Sequence, residues 1–191
     1  MSYTVGMLIP VCSRNENYKT IDDSPLLQVF MPSFLKTKDE AYKYKFYVGI
    51  DDDDEFYINN KHALESALPN SSIHILSDCN HKPARAWNKL LEVAYQDGCD
   101  FFFQIGDDVE LMTSGWTTAF INTLCTFSLQ GVVGPCELEN YNMRIRSHNR
   151  IVIENAFFHR THYEIFKTLF HPSINNWYCD NWITDVYASI G

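Results

Sequence analysis

Apolar and polar positions alternate in blocks along the chain, and these blocks predict strands and helices in turn. Continuous apolar runs that end in polar residues are typical of strands buried on both faces of a sheet. Such runs predict strands at 3–11, 45–50, 72–76, 100–105 and 132–133. Apolar residues at helical spacing predict helices at 24–35, 60–68, 84–96, 116–124, 161–169 and 181–190.

The order of these elements predicts the fold class. Three early strand–helix units favour a single α/β domain, with a Rossmann-like, mainly parallel central sheet and helices on both faces. No internal repeat or shift in composition marks a domain boundary within residues 1–191. The polar stretch 137–150 predicts an irregular loop, and the last helical pattern is cut short, which predicts a truncated C-terminus.

Composition and charge narrow the range of functions. The 191 residues are 46% hydrophobic, which is typical of a globular chain and excludes a disordered one. Asp and Glu number 24 against 15 Lys and Arg, and the net charge of -9 disfavours nucleic acid and anionic lipid as partners. We expect neither a membrane span nor a signal peptide, because the apolar runs are too short and no basic leader precedes the first.

The six cysteines indicate a cellular compartment. They are scattered and form no CxxC pair, which argues against a zinc site and against a disulfide scaffold. We therefore expect a reducing, cytoplasmic location. Cys12 is not expected to act as a nucleophile, because no helix N-terminus follows closely enough to lower its pKa. The chain also lacks a P-loop, a GxGxxG fingerprint and a GxSxG elbow.

Acidic residues follow the most apolar predicted strand, in the motif Gly-Asp-Asp-Val-Glu at 106–110. Hard divalent cations prefer oxygen ligands and accept bridging phosphates, so Asp107, Asp108 and Glu110 are candidate ligands of Mn²⁺ or Mg²⁺. Strand alternation predicts that Asp108 and Glu110 point to one side and Asp107 to the other. Gly106 would allow backbone or ligand to approach closely. The alternative is a solvated turn.

A second acidic run, four aspartates and a glutamate at 51–55, follows the second predicted strand. A calcium-binding loop is a weak hypothesis, because Phe56 stands where such a loop needs glycine. An acid at this strand end, Asp51 or Asp52, can accept a hydrogen bond from a nucleobase imide or a ribose hydroxyl. The alternative is again a solvated loop.

Two histidines and an aspartate near the C-terminus have both structural and functional interpretations. His159 and His162 can complete a metal site that the carboxylates begin, or they can be structural residues of a helix start. Asp180 precedes the last predicted helix and can serve as its N-cap. It can equally act as a general base on a ligand-facing loop, beside Trp177 and Trp182, whose rings can stack on a sugar.

The order of these signals resembles one enzyme family. The strand VGMLIPVCSR, the strand end YVGIDDDD and the helix KPARAWNKLLEVAYQDGCD, which leads to FFFQIGDDVEL, resemble the nucleotide-sugar half of GT-A fold glycosyltransferases. The later ENAFFHRTHYEIF resembles their acceptor-side segment, and NNWYCDNWITDVY resembles the region that starts a late helix. The resemblance spans about residues 3–190 and rests on this order of motifs. The compact size is similar to that of divergent members carried by large DNA viruses.

The resemblance implies a metal-dependent glycosyltransferase. A sugar would pass from a nucleoside-diphosphate donor, with UDP expected, to a glycan or protein acceptor in the presence of Mn²⁺ or Mg²⁺. The donor would bind to about residues 1–110 and the acceptor to about 111–191.

The resemblance also implies roles for particular residues. Asp51 or Asp52 would contact the nucleobase, and Asp180 would activate the acceptor hydroxyl. The residues expected to bind the donor are Pro10, Cys12, Arg14, Asp51, Asp52, Asp78, Lys82, Arg85, Asn88 and Asp107. The expected metal ligands are Asp107, Asp108, Glu110 and His159.

The chain departs from the family pattern at three places. The metal motif reads Asp-Asp-Val-Glu instead of DxD, Trp87 stands at the position of the family's arginine with Arg85 shifted by two, and Cys179 precedes Asp180 where the family has an acid. Two other classes of function stay open: a nucleotide-sugar-binding module without turnover, and a metal-dependent nucleotidyltransferase or phosphohydrolase. The second would need more basic residues near the phosphates than this chain offers.

Overall fold

The fold is built on one mixed β-sheet. The computed structural model describes residues 2–14, 16–136 and 152–189. Within these ranges the strands are β1 (Thr4–Val11), β2 (Lys43–Asp51), β3 (Ser71–Leu76), β4 (Phe101–Gln104), β5 (Val132–Val133) and β6 (Phe157–His159). Their order across the sheet is β3-β2-β1-β4-β6-β5.

The central strands are parallel, whereas the edge formed by β6 and β5 is antiparallel. In the register of the sheet Met7 lies opposite Phe46 on β2 and opposite Phe103 on β4. Strand β6 runs against β4, with Phe157 opposite Phe103. The carboxyl ends of β1, β2, β3 and β4 therefore meet at one edge of the sheet, and β6 continues the sheet beyond them.

Helices connect the strands. They are α1 (Met31–Thr37), α2 (Glu55–Asn59), α3 (Lys61–Ala67), α4 (Pro83–Gln96), α5 (Trp116–Thr126), α6 (Thr161–Phe166) and α7 (Cys179–Ala188). A π-helical turn, Leu26–Phe30, leads directly into α1. Pro83 suits the first turn of α4, where its missing N–H is not needed, and Gly98, at a φ of +79°, follows the end of the helix. No helix within the described ranges is long and apolar enough to cross a lipid bilayer.

Alternation along each strand divides the buried side chains between the two faces of the sheet. Val5, Met7 and Ile9 of β1 belong to one hydrophobic cluster, together with residues of α1, α3 and α5. Leu8, between them, belongs to the cluster on the other face, with Leu90 and other residues of α4 and α7. The sheet is thus covered on both faces, which confirms the predicted α/β fold class.

Most of the predicted elements are confirmed, with small shifts at their ends. The sequence pattern did not predict β6 or α2. The strand predicted at 100–105 ends at Gln104, so the alternation assumed for 107–110 does not apply. The irregular loop predicted at 137–150 lies outside the described residues.

Candidate active-site cleft

A cleft of about 550 Å³ opens where the carboxyl ends of the parallel strands meet. The strand order reverses between β1 and β4, and ligands of open α/β sheets bind in the crevice at such a switch point. Its lining comprises Pro10, Val11, Cys12, Arg14, Asp51, Cys79, His81, Lys82, Pro83, Ala86, Trp87, Gln104, Gly106, Asp107, Asp108, Val109, Glu154, Asn155 and Asn176.

A larger groove, of about 710 Å³, lies at the opposite end of the sheet, around the amino ends of β1 and β2. The only acidic side chain in its lining is Asp97. This carboxylate accepts a hydrogen bond of 2.9 Å from the Tyr47 hydroxyl and lies 3.8 Å from the Lys45 ammonium. Since the groove offers no pair of carboxylates, the smaller cleft is the better candidate for chemistry.

Asp107 and Asp108 both line the cleft, although strand alternation predicted that they would point apart. Asp107 is only 7% exposed, whereas Asp108 is exposed. Burial, together with the Asp108 charge, raises the pKa of Asp107 to about 6, and the Arg14 guanidinium acts in the opposite direction. Glu110 is exposed and outside the cleft lining, so the structure does not bring it together with the two aspartates.

The group that lies closest to Gly106 is a side chain, whereas backbone or ligand was expected from the sequence. A Cβ atom at this residue would lie 2.9 Å from Oδ1 of Asp108. The approaching group is therefore the Asp108 carboxylate, which folds back over the backbone after β4. A larger residue at 106 would have to displace that carboxylate.

The acidic run after β2 divides into residues with different surroundings. Asp51 lines the cleft, and burial raises its pKa, while a backbone hydrogen bond from His81 acts to lower it. Asp52 is exposed and outside the lining. Asp54 is buried and caps α2 by accepting a hydrogen bond of 3.1 Å from the Tyr57 N–H. The run therefore offers the cleft one carboxylate, that of Asp51.

The loop after β1 contributes Pro10, Cys12 and Arg14, three of the residues expected to bind the donor, to the cleft lining. Asp54 holds this loop, because its second carboxylate oxygen accepts a hydrogen bond of 2.6 Å from the Ser13 N–H. Arg14 has a φ of +50°, in the left-handed region. Burial raises the pKa of the Cys12 thiol.

Of the three charged residues expected to bind the donor near α4, only Lys82 lines the cleft. Asp78 lies 2.8 Å from the Lys82 ammonium and 2.5 Å from the Arg85 guanidinium. The hydrogen bond from Lys82 and the two positive charges lower the pKa of Asp78. Arg85 also donates a hydrogen bond of 2.9 Å to Oδ1 of Asn175. Asp78 and Arg85 therefore form a network beside the cleft and do not line it.

Asn88 also lies outside the cleft lining, where its side chain joins α4 to the segment that follows α6. Its Oδ1 accepts hydrogen bonds from the N–H groups of Leu169, at 3.0 Å, and Phe170, at 2.8 Å. Its Nδ2 donates to the Phe170 carbonyl at 2.9 Å. The structure thus gives Asn88 a role in joining these two segments, and its donor-binding role stays a prediction.

The structure corrects the assignment of His159 as a metal ligand. His159 lies opposite Phe101, at the amino end of β4, whereas Asp107 follows the carboxyl end of that strand. Roughly 10 Å of strand separates the two ends, so these side chains cannot share an ion.

His162, the other histidine considered, has both ring nitrogens engaged. Its Nδ1 accepts a hydrogen bond of 2.7 Å from the Tyr187 hydroxyl, and its Nε2 donates one of 3.0 Å to the Thr168 carbonyl. Burial lowers its pKa to about 4, so this imidazole is a neutral structural residue.

Asp180 lies in the first turn of α7, and the helix begins one residue earlier than this aspartate. The N-cap residue is Tyr178, with a φ of +80°, so the N-cap predicted at Asp180 is wrong. Asp180 Oδ1 accepts a hydrogen bond of 2.9 Å from the Asn181 N–H. Asp180 does not line the cleft, but Asn176, four residues before it, does.

Several cleft residues were not predicted as site residues. Gln104 is 3% exposed and accepts a hydrogen bond of 3.0 Å from the Ala156 N–H. A glutamine inside the apolar run FFFQI is unusual enough to mark Gln104 as a candidate site residue from the sequence alone. Trp87, whose Nε1 donates to the Leu8 carbonyl, was noted in the sequence only as a departure from the family's arginine. His81 and Asn155 also line the cleft, and nothing in the surrounding sequence marks them.

The cleft suits a divalent cation only when a bound substrate supplies further oxygen ligands. Asp107 and Asp108 supply carboxylate oxygens, which Mg²⁺ and Mn²⁺ prefer. Among the described residues no group of three or more His, Cys, Asp or Glu side chains could hold an ion. Mg²⁺ is commonly bound by one or two carboxylates plus substrate phosphates, and the pair fits that arrangement.

Comparisons with known proteins give similarity in structure alone. No family model matches the sequence, and no curated protein matches it. The mannosyltransferase PcManGT from Pyrobaculum calidifontis, solved with GDP-Man and Mn²⁺, matches with a TM-score of 0.59 and 12% identity, over 88% of this chain and 48% of that one. TarS 1-349 from S. aureus, solved with UDP, matches with a TM-score of 0.61 and 14% identity, over 98% and 55%.

The chain thus spans about half the length of these two solved structures. A cytidylyltransferase from Leptospira borgpetersenii gives a weaker match, with a TM-score of 0.49, 10% identity, and coverage of 86% of this chain and 63% of that one. At such identities the similarity shows the fold and no more. The fold is the GT-A-like α/β arrangement found in nucleotide-sugar transferases.

Proposed function

We propose that this chain is a glycosyltransferase that moves a sugar from a nucleoside-diphosphate donor to a hydroxyl group of a glycan or protein. The observation that carries the proposal is the pair Asp107 and Asp108, in one cleft with Arg14 and Lys82, at the carboxyl ends of the parallel strands. Cations and carboxylates together suit a diphosphate that arrives with a metal ion. The structures with this fold that hold GDP-Man with Mn²⁺, or UDP, give the proposal its support.

The donor's base would bind between the loops after β1 and β2. Asp51 lines this part of the cleft, together with Pro10 and Cys12, whereas Asp52 does not. A carboxylate there can accept the imide N–H of uracil, so we propose a UDP-linked donor. Arg14 and Lys82 would offset the negative charge of the diphosphate.

Asp107 and Asp108 would hold Mn²⁺ or Mg²⁺, with phosphate oxygens of the donor as further ligands. A bound cation of this kind stabilises the negative charge that develops on a departing nucleoside diphosphate. Asp107 suits this role, because its carboxylate is buried beside a second negative charge and has an elevated pKa. Perturbed carboxyl groups in clefts are typical of functional sites.

Transfer exchanges one bond at the anomeric carbon for another. The bond to the diphosphate oxygen breaks and its electron pair leaves with the nucleoside diphosphate, while the acceptor oxygen forms the new bond and loses its proton. We propose Asp180 as the base that takes this proton. The support is its place in the first turn of α7, four residues after Asn176 of the cleft wall.

The assignment of a donor half and an acceptor half and the cellular location are also proposals. The carboxylates and cations of the cleft come from residues before 110, with the exception of Glu154, so we propose 1–110 as the donor half and 111–191 as the acceptor half. All six cysteines are free thiols in the structure. This state favours a reducing compartment, and we propose a cytoplasmic location.

Calorimetry of UDP binding with and without MnCl₂ tests the metal-assisted donor site. We expect Asp108→Asn to lower the Mn²⁺-dependent affinity at least about tenfold, because it removes one of the two carboxylates. Glu110→Gln is the matched control, since Glu110 is exposed and outside the cleft lining. Equal UDP affinity in wild type and Asp108→Asn would contradict the site.

An assay of UDP release by the wild-type protein distinguishes an enzyme from a binding module. Incubation with a panel of UDP-sugars and MnCl₂ should release UDP, through transfer or through slow hydrolysis. Binding without any release of UDP over several hours would favour the non-catalytic alternative.

A further inference from the structure

One tryptophan of this chain is held in solvent at the rim of the cleft. Trp177 is 90% exposed, which is the highest exposure among the large hydrophobic residues of the described chain. The other three tryptophans are packed: Trp116 is buried, Trp87 lines the cleft and bonds to β1, and Trp182 packs on Phe170. Tyr178, the next residue, is 56% exposed, so two large aromatic residues in succession are exposed here, and grouped apolar surface marks binding sites where single exposed residues do not.

The segment that carries Trp177 is anchored on both sides. The Asn175 carbonyl accepts a hydrogen bond of 3.1 Å from the Ala84 N–H, in the first turn of α4. On the other side, the Cys179 thiol donates a hydrogen bond of 2.6 Å to the Asn176 carbonyl, and α7 begins at once. Hydrogen bonds therefore hold the backbone next to Trp177 in place.

Trp177 directly follows a residue of the cleft wall along the chain. Asn176 lines the cleft, and the next residue along the chain lies about 3.8 Å away, Cα to Cα. The backbone of Trp177 is therefore at the edge of the cleft, and its exposed side chain is not part of the cleft lining. The position is thus on the outer part of the site, beyond the groups proposed to bind the donor.

The charges around Trp177 indicate which kind of molecule can bind there. Residues 168–189 contain no Lys or Arg and contain two carboxylates, those of Asp180 and Asp185. The cation that contacts this segment, Arg85, bonds to Asn175 and is paired with Asp78, so the segment itself offers an anionic polymer no Lys or Arg, whereas a neutral molecule with one apolar face and several hydroxyl groups needs none. A pyranose ring has that character, because its axial C–H groups can lie on the negative face of an indole while Asn176 bonds a hydroxyl.

We propose that Trp177 is the stacking platform for a pyranose ring of a neutral glycan, which is the acceptor of the transfer reaction. The inference rests on the proposed function and narrows its acceptor from glycan or protein to glycan. Trp177 is a specificity-determining residue in this scheme. It contacts the acceptor and leaves the donor untouched.

The test compares oligosaccharide binding with donor binding in the same variants. Cellotriose, maltotriose and chitotriose are titrated into wild type, Trp177→Ala and Trp177→Phe in the presence of UDP and MnCl₂. We expect at least one trisaccharide to bind wild type with millimolar affinity, and Trp177→Ala to bind it at least about tenfold more weakly. Trp177→Phe should keep most of the affinity, and UDP affinity should be the same in all three proteins.

Phe127→Ala is the matched control. Phe127 is 59% exposed, and Leu129 beside it bonds to Thr161 at the end of the sheet that carries His159, opposite the cleft. This substitution should leave trisaccharide binding unchanged.

Three results would overturn the inference. One is equal trisaccharide affinity in Trp177→Ala and wild type, and another is UDP binding by wild type with no binding of any of the three sugars. The third is sedimentation that shows a dimer in wild type and a monomer in Trp177→Ala, since the indole would then cover a second copy of the chain. Failure of the proposed function is distinct, because wild type would then bind no UDP.

Discussion

The buried position of Asp107 in the cleft lowers the stability of the folded protein at neutral pH. Its pKa of about 6 in the folded protein lies above the ordinary value of 3.8, so folding disfavours its charged form. The cost is absent below pH 3.8, grows as the pH rises toward 6, and is complete at pH 7. Evolution tends to retain such a group where the charge is needed for binding or catalysis.

Replacing this carboxylate should therefore stabilise the protein at neutral pH. We expect Asp107→Asn to raise the free energy of unfolding at pH 7 by about 1–3 kcal/mol and to have little effect near pH 3.5. Urea denaturation at the two pH values measures the difference. Asp52→Asn is the control, because Asp52 is exposed, and it should change stability at neither pH. A loss of stability in Asp107→Asn at pH 7 would show that the charge supports the fold.

Asp180 permits a test of the proposed base that spares the fold. We expect Asp180→Asn to lower turnover by about 10²–10⁴-fold, which is typical for the loss of a general base, with UDP affinity unchanged. Asp180 lies in the first turn of α7, where a negative charge contributes about 0.3–1 kcal/mol, so the loss of stability should be small. Steady-state rates and thermal denaturation give the two readouts. Near-normal turnover would end the assignment of Asp180 as the base.

At the scale of elements, Asn88 joins α4 to the segment after α6 through three hydrogen bonds. We expect Asn88→Ala to lower the free energy of unfolding by about 2–4 kcal/mol, because two backbone N–H groups lose their acceptor. In the protein that remains folded, UDP affinity should be unchanged. Glu92→Ala, one turn later on the exposed side of α4, is the control for both readouts. A selective loss of UDP affinity would support the donor-binding role that the resemblance implied for Asn88.

The elements that were predicted from the sequence are strands buried on both faces of the sheet or helices with one clear apolar stripe. Strands β1 and β2 and helix α4 show this pattern, and their limits are close to those predicted. Strand β6 has three residues and ends in a histidine, so its run is too short to stand out from the helix that follows. Helix α2 begins inside the acidic run, where Asp54 is a cap and the sequence pattern shows only charge.

At the scale of the whole molecule, the residues that follow the parallel strands were the predictable part of the site. Loops after parallel strands must meet at one edge, so Arg14, Asp51 and Asp107 fall together once the strands are identified. The other wall was harder to foresee. Its residues Asn155 and Asn176 come from segments whose position depends on β6 and on the Asn175 anchor, and neither feature has a pattern in the sequence.

The three hydrogen bonds of the Asn88 side chain have a consequence for the order in which the protein folds. The groups they join are about 80 residues apart along the chain, and closing so long a loop is entropically costly until other contacts hold its ends. Parallel pairings of β1, which reach both β2 and β4, are non-local as well, and such topologies fold slowly. The sheet around β1 can assemble once the chain up to the end of β4, at Gln104, is present, but the second wall of the cleft forms only when the later segment docks. During synthesis or refolding, ligand binding should therefore return after most of the secondary structure.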